Sequence, residues 1–523
     1  MYLPLNGIDI AVFAGCLLTV LLVGVVAARR GESTKRDYFL SGDKLSWWMI
    51  GGSIVASNVS SHHLVGIMGT AYYSGFVAMM IVWGTILIGF NALLWIFLPY
   101  YYRNGFYTMA EFLDRRFGTG ARLTYAVLVL VTYVFVEVSA VLYLGGLALH
   151  SLLEFDIMWC VVALALATGL YTITGGLRAV VWTELFQLGV LIAGGLTLSV
   201  ITIAKAGGIS AVMANSDQWH MLLPADHPDF PWTMYLGGVL CISVYYNAAN
   251  QFIVQRTLAA KSEWHARMGV VFAGYLDFFM PLVFIVPGLV APMLFPNLES
   301  ADLVFPTLVK NLLPTGMVGL VMAALIAAVM SHVSGAVNSC STIATIDFYL
   351  PYVNKQASEA NAVRFGRFAG TIVILLGIFW ASVLIRHNDK PVFIYLLNAY
   401  GYFTPGIATM FLLGIFWKRT THAGALVAAV LSIPMSIGFE LLYPKMPFLN
   451  RTGIVFWACM GLCILISLVT RPKPAEQLTG LIWTRDSLWL PPEEREHSKG
   501  LRNPLFWWSI VSAAVLYFYV AYP

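Results

Sequence analysis

The chain has 523 residues, 59% of them hydrophobic and 11% charged, against about 45–50% apolar and about 25% charged in an ordinary soluble domain. With a mean hydropathy of +0.78, this excludes a water-soluble enzyme. The formal charge of +4, with no Lys/Arg run, leaves no electrostatic footprint for nucleic acid.

Apolar runs of about 18 residues or more recur from end to end, each long enough at about 1.5 Å per residue to cross a ~30 Å hydrocarbon core. An all-α polytopic membrane protein is expected. Gly, Pro and charge punctuation sets about fourteen spans, beginning near Gly7, Ser46, Gly75, Ala121, Asp156, Arg178, Trp232, Ala266, Pro314, Arg364, Pro391, Thr421, Gly453 and Pro504. Basic residues follow the first span (Arg29, Arg30, Lys35, Arg36, Lys44) and none precede it, the reverse of a secretory signal. That span is therefore expected to be retained, with its N-terminus outside. Alternation from there puts 24 of the 30 Lys and Arg in inner loops and leaves Lys205, Lys310, Arg386, Lys390, Lys445 and Arg451 outside. This follows the positive-inside rule and predicts both termini outside a plasma membrane. Cys16, Cys160, Cys241, Cys340, Cys459 and Cys463 all fall inside apolar runs and read as small hydrophobes, not a disulfide framework.

The second span carries Ala56-Ser57-Asn58-Val59-Ser60-Ser61-His62-His63 at mid-depth, and the seventh carries Ser243, Tyr245, Tyr246, Asn247, Asn250 and Gln251. Such stretches are tolerated in lipid only where they line a cavity or are buried in protein, so both helices should be broken. Ser57 lies eleven residues past Ser46, and Ser243 eleven past Trp232. Five spans separate the two helices, so a tandem five-span unit has inverted topology in its second copy, the plan of one large class of secondary transporters. Unwound backbone there frees carbonyls for a cation and N–H groups for a solute. In the ninth span Ser331, Ser334, Asn338 and Ser341 form one helical stripe, facing either a pore or packed neighbours. Hydroxyl and carbonyl oxygens are hard donors of the kind Na+ prefers.

Ionisable groups within spans are few: Glu137, Glu184, Asp277, Glu440, His62, His63 and His332. Each carboxylate costs about 2.5–3.5 kcal/mol at mid-membrane on insertion scales unless paired, protonated or wet. Glu184 and Glu440 lie near span ends, where water suffices. Glu137 reads equally as an interhelical acceptor or a transport residue. Asp277 is the hardest to explain structurally, although pairing with a histidine is open to it. His62 and His63 point about 100° apart on a helix and do not converge on a metal. No phosphate loop, zinc pattern or nucleophile elbow is present, so catalysis is not expected.

Several runs together resemble the sodium/solute symporter family, and within it the sodium–sugar cotransporter branch. They are Asp37-Tyr38-Phe39-Leu40-Ser41-Gly42, Trp47-Trp48 through Ser60 to Val65-Gly66, Gly175 to Val180 with Trp182-Thr183-Glu184, Asn250-Gln251 with Gln255 to Lys261, the ninth-span stripe, and Pro405-Gly406 with Gly414 to Arg419. The resemblance covers roughly residues 35 to 420. It implies a leucine-transporter-like five-plus-five inverted repeat: residues 1–45 as leading helix and inner loop, 46–206 and 232–416 as the two repeats, and 421–523 as trailing helices. It also implies one Na+ held by the carbonyls of Ala56, Val59 and Ala328 and by Ser331, with His332 at the position of a second serine and Glu184 on the ion's exit route.

Two departures bear on function. His332 replaces a hydroxyl with an imidazole that can titrate near neutral pH. Coupling to Na+ remains the expectation, with H+-coupled or uncoupled transport through His332 as alternatives. In the solute pocket His63 and Tyr246 match, but the branch's sugar-binding Glu, Asn, Lys and Gln fall on Val82, Ser243, Asp277 and Leu397, with Asn398 beside the last. The expected contacts are His63, Ser243, Tyr246, Asn247, Asp277 and Asn398. The reversed charge favours a polyol, an altered sugar or an amino-substituted solute over an anion. A small polar solute, Na+ and the lipid bilayer are the expected partners, with no obligate protein partner evident. A non-transporting solute sensor is the alternative from another class. The inner segment Arg471 to Asn503 reads as an interfacial tail or linker, and 207–231 as an outer loop too short for a domain.

Overall fold

Backbone that leaves water must satisfy its own N–H and C=O groups, and this chain does so with helices. The computed structural model describes residues 6–29, 34–214, 219–387 and 392–522; Arg30, Lys390 and the Pro391 span start lie outside them. In chain order the elements are α1 (Gly7–Arg29), α2 (Trp47–Asn58), α3 (His62–Arg103), α4 (Thr119–Leu153), α5 (Ile157–Lys205), α6 (Gly238–Val244), α7 (Gln251–Leu258) and α8 (Glu263–Leu294). There follow α9 (Val318–Val353), α10 (Glu359–His387), α11 (Val392–Phe416), α12 (His422–Leu442), α13 (Phe448–Val469) and α14 (Pro504–Ala521).

Among the described residues, eleven helices are long and apolar enough to cross a membrane, where the sequence suggested about fourteen spans. The difference lies in continuous runs and breaks. Two expected spans run together in the 49 residues of α5, with Gly176 between them at φ +58 and ψ −162. A Cβ there would meet Tyr38 O at 2.5 Å, so both the backbone sign and the close approach require glycine. α3 turns likewise at Gly75, φ +71. The broken second and seventh helices supply only short pieces.

α9 lies at the centre: nearly all its residues from Val318 to Ile343 are buried, and it packs along α5 and α1. Its N-terminus is capped from α1, where the Asp9 carboxylate accepts from Gly316 N at 2.9 Å and Gly319 N at 2.8 Å. α2 packs on α8. The start of α2 and the end of α7 are tied by Leu45 N to Ala259 O and Lys261 N to Leu45 O, both 3.0 Å.

The segment after α13 is docked, contrary to the linker reading. Glu494 accepts from Glu263 N and Trp264 N at 3.2 and 2.6 Å, satisfying exposed donors at the start of α8. Arg267 donates to Ser487 O and Leu488 O, and Arg103 to Trp489 O, while both arginines pair with Glu263. The partners lie more than 200 residues away in sequence, so composition alone could not reveal them.

Candidate functional site

The first break opens where α2 ends. Val59 leaves helical geometry (φ −76, ψ 118) while its N–H still donates to Val55 O. The α2 carbonyls near this end are then open to side chains from α9. Ser331 Oγ donates to Ala56 O at 2.7 Å. His332 Nδ1 donates to Ser57 O at 2.8 Å, while its Nε2 meets Glu137 Oε2 of α4 at 2.8 Å. Ala328 and Val59 are both buried. Ser61 Oγ donates to Val141 O, and the His62 ring lies 4.2 Å from His63 and 5.3 Å from His332 between centroids. Two hard oxygens of the expected cation set, Ala56 O and Ser331 Oγ, thus already converge. The α9 stripe divides: Ser331 reaches α2, Ser334 bonds within α9 to Ser331 O, and Ser341 donates to Gly366 O of α10.

Glu184 departs from the span-end reading, because it is fully buried and does not reach water. Its carboxylate pairs with Arg256 of α7 at 2.5 Å and accepts from Ser53 and Ser57 of α2. Arg256 also donates to Ser53, Ser57 and Phe252 O. The network joins α2, α5 and α7, and Ser57 links it through its carbonyl to His332. A buried charge is tolerated when paired and hydrogen-bonded in this way. Glu440 conforms more closely, being partly exposed beside Tyr402 and Arg451.

The second break falls at Asn250 (φ −91, ψ 122), later than the expected interruption at Ser243. The chain stays helical through Ser243 and Val244 and widens into a π-helical turn over Tyr245–Ala249. Its freed carbonyls are taken by tyrosines: Tyr101 OH donates to Ala248 O at 2.8 Å and Tyr125 OH to Ala249 O at 2.6 Å. Tyr133 OH bonds Asn250 Oδ1 and accepts from Phe252 N, which Asn250 also caps. No pattern near residue 250 marks these tyrosines, which come from distant spans, and Arg256 was likewise missed as the partner of Glu184.

Between the breaks lies a cavity of about 120 Å³ lined by His63, Ser243, Tyr246, Asn247 and Asp277, together with His62, Glu137, Phe284, Tyr400 and apolar side chains. Five of the six expected solute contacts are brought together here. Asn398 is the exception: its Oδ1 accepts from Arg451 at 2.9 Å, while Leu396, Leu397 and Tyr400 line the cavity from the same helix. Steps of about 100° per residue separate these directions. Asp277 has no histidine partner; both its oxygens lack a hydrogen bond, as do Tyr246 OH and Asn247 Oδ1. Asn247 Nδ2 donates to Ser243 O at 3.0 Å. Its room depends on Gly89, where a Cβ would stand 2.1 Å from Asn247 Nδ2.

The model of the sodium:solute symporter family matches residues 38–432. The chain belongs to this family. The sodium/glucose cotransporter of Vibrio parahaemolyticus is 34% identical over 483 residues, covering 86% of this chain and 88% of that protein. The human sodium/myo-inositol cotransporter is 32% identical over 553 residues, covering 92% and 76%. In fold, the chain is similar to a substrate-bound, outward-open Na+-coupled sialic acid symporter, with a TM-score of 0.80 at 23% identity over 89% of this chain and 99% of that one. A nucleobase-cation-symport-1 family transporter gives 0.57 at 14% identity, covering 85% and 97%. The architecture is the leucine-transporter-like inverted repeat, and this family member is a multi-pass membrane symporter and not an enzyme.

Proposed function

We propose that the chain couples Na+ entry to uptake of a small polar solute of the sugar or polyol class by alternating access. Residues 46–206 and 232–416 act as the two repeats, 1–45 and 421–523 flank them, and both termini lie outside the plasma membrane. One observation carries this reading: the oxygens of Ala56 and Ser331 converge at the same break that presents His63 to the cavity. An ion held by Ala56, Val59, Ala328 and Ser331 would fix α2 against α9 and thereby shape the solute site, which is the differential contact that coupling requires. Relatives named for glucose and myo-inositol support the solute class. Glu184, locked to Arg256, closes the ion's exit route until that pair opens.

A second reading, H+-coupled or uncoupled transport, is favoured by one contact pair. His332 donates to Ser57 O and meets Glu137, so an imidazole edge stands where a second hydroxyl would complete the cation site. Uptake of labelled glucose and myo-inositol into proteoliposomes, with a Na+ gradient or with choline and at two pH values, separates the two. Accumulation that needs Na+ supports the first reading. Full uptake in choline overturns it, and binding without flux in either condition identifies a sensor.

A further inference from the structure

Asp277 is 1% exposed and faces the cavity, with neither carboxylate oxygen hydrogen-bonded. Among the described residues no Lys or Arg lines this space. The other acid there, Glu137, is engaged by His332, and the buried Arg256 is held by Glu184, Ser53, Ser57 and Phe252 O. Asp277 is therefore the one carboxylate of the cavity for which the surrounding protein supplies no partner. Keeping such a group ionised and buried costs free energy unless a countercharge arrives with the ligand.

The neighbouring open atoms point the same way. Asn247 Oδ1 is an acceptor, because its Nδ2 is fixed on Ser243 O, and Tyr246 OH has no partner. Three acceptor atoms and one hydroxyl thus face a small space. Three aromatic rings join the mainly aliphatic walls: Phe284 lies two helical turns from Asp277 on the same element, with its ring 5.0 Å from His63, and Tyr246 meets Tyr400 edge-on at 6.1 Å. A volume of about 120 Å³ is comparable with cavities known to hold one six-membered ring.

We infer that the solute is a small hydroxylated primary amine, carried as its ammonium form, whose amine seats on Asp277 while its hydroxyls reach Tyr246, Asn247 and His63. An ammonium offers three donors and a full positive charge, whereas a hydroxyl at the same place offers one donor and leaves the carboxylate unbalanced. The rings of Phe284, Tyr246 and Tyr400 add attraction for a cation. This assignment rests on the cavity being the solute site of the proposed symporter.

The test is uptake into proteoliposomes with matched probes: glucose against glucosamine, and sorbitol against 1-amino-1-deoxysorbitol. Each amine should be preferred to its hydroxyl twin by about tenfold or more in half-saturation, the effect of roughly one charged contact. Asp277→Asn should bring the ratio close to one, and Asp277→Glu, which keeps the charge, should retain a preference. The wild-type ratios test the claim even where a variant fails to fold. Neutral twins accumulating in preference to the amines, or an amine preference that survives in Asp277→Asn, overturns the inference and leaves the symporter reading standing. Uptake of none of the four probes, nor of myo-inositol, overturns both.

Discussion

The two broken helices meet the same physical problem with different partners. At the first break, carbonyls near the end of α2 bond to Ser331 and His332, polar side chains of α9. At the second, the carbonyls of Ala248 and Ala249 and the Asn250 amide are held by three tyrosine hydroxyls from α3 and α4. A polar interruption is thus not by itself an ion site. The partner side chain decides whether the opened backbone is available or already committed.

The strongest way to break this comparison is through the network that joins α2 to α7 by way of Glu184. Removing one partner of a buried ion pair leaves an uncompensated charge, at a cost of about 3–5 kcal/mol. Arg256→Ala or Glu184→Ala should therefore cause a large loss of thermal stability in detergent and abolish uptake. The combined Arg256→Met and Glu184→Leu variant should recover stability but not transport. Equal stability in the single variants and wild type would remove the clamp from the account.

Next in size, Ser331→Ala should raise the Na+ concentration for half-maximal uptake about tenfold, the loss of one good ligand. It should cost little stability. Tyr133→Phe should do the opposite, costing about 1 kcal/mol of stability by the scale of intramembrane hydrogen bonds while leaving Na+ dependence in place. The reverse pattern would exchange the roles of the two breaks. His332→Ser places a hydroxyl where the resemblance implies a second ligand and should strengthen Na+ stimulation several-fold, measured as uptake in Na+ against choline.

Smaller effects sharpen the cavity. Gly89→Ala forces Asn247 from its place and should raise the half-saturation for solute several-fold with little change in Na+ response. Asn398→Ala should change solute affinity by less than about twofold, because Arg451 and not the cavity holds that side chain. A large effect there would return Asn398 to the binding set.

Composition, apolar run lengths and polar residues at mid-depth determined that this is an all-helical membrane protein with two interrupted helices, because lipid imposes that pattern locally on any chain. The motif around Ala56 to Ser60 and the α9 stripe were also legible, since both are continuous runs read residue by residue. Only the tertiary structure decided which opened carbonyls stay available, that Glu184 belongs to Arg256 instead of water, that Asn398 turns from the cavity, and that the segment after α13 docks. Those outcomes depend on partners tens to hundreds of residues away in sequence, where close packing sets side-chain direction and periodicity carries no information about the neighbour.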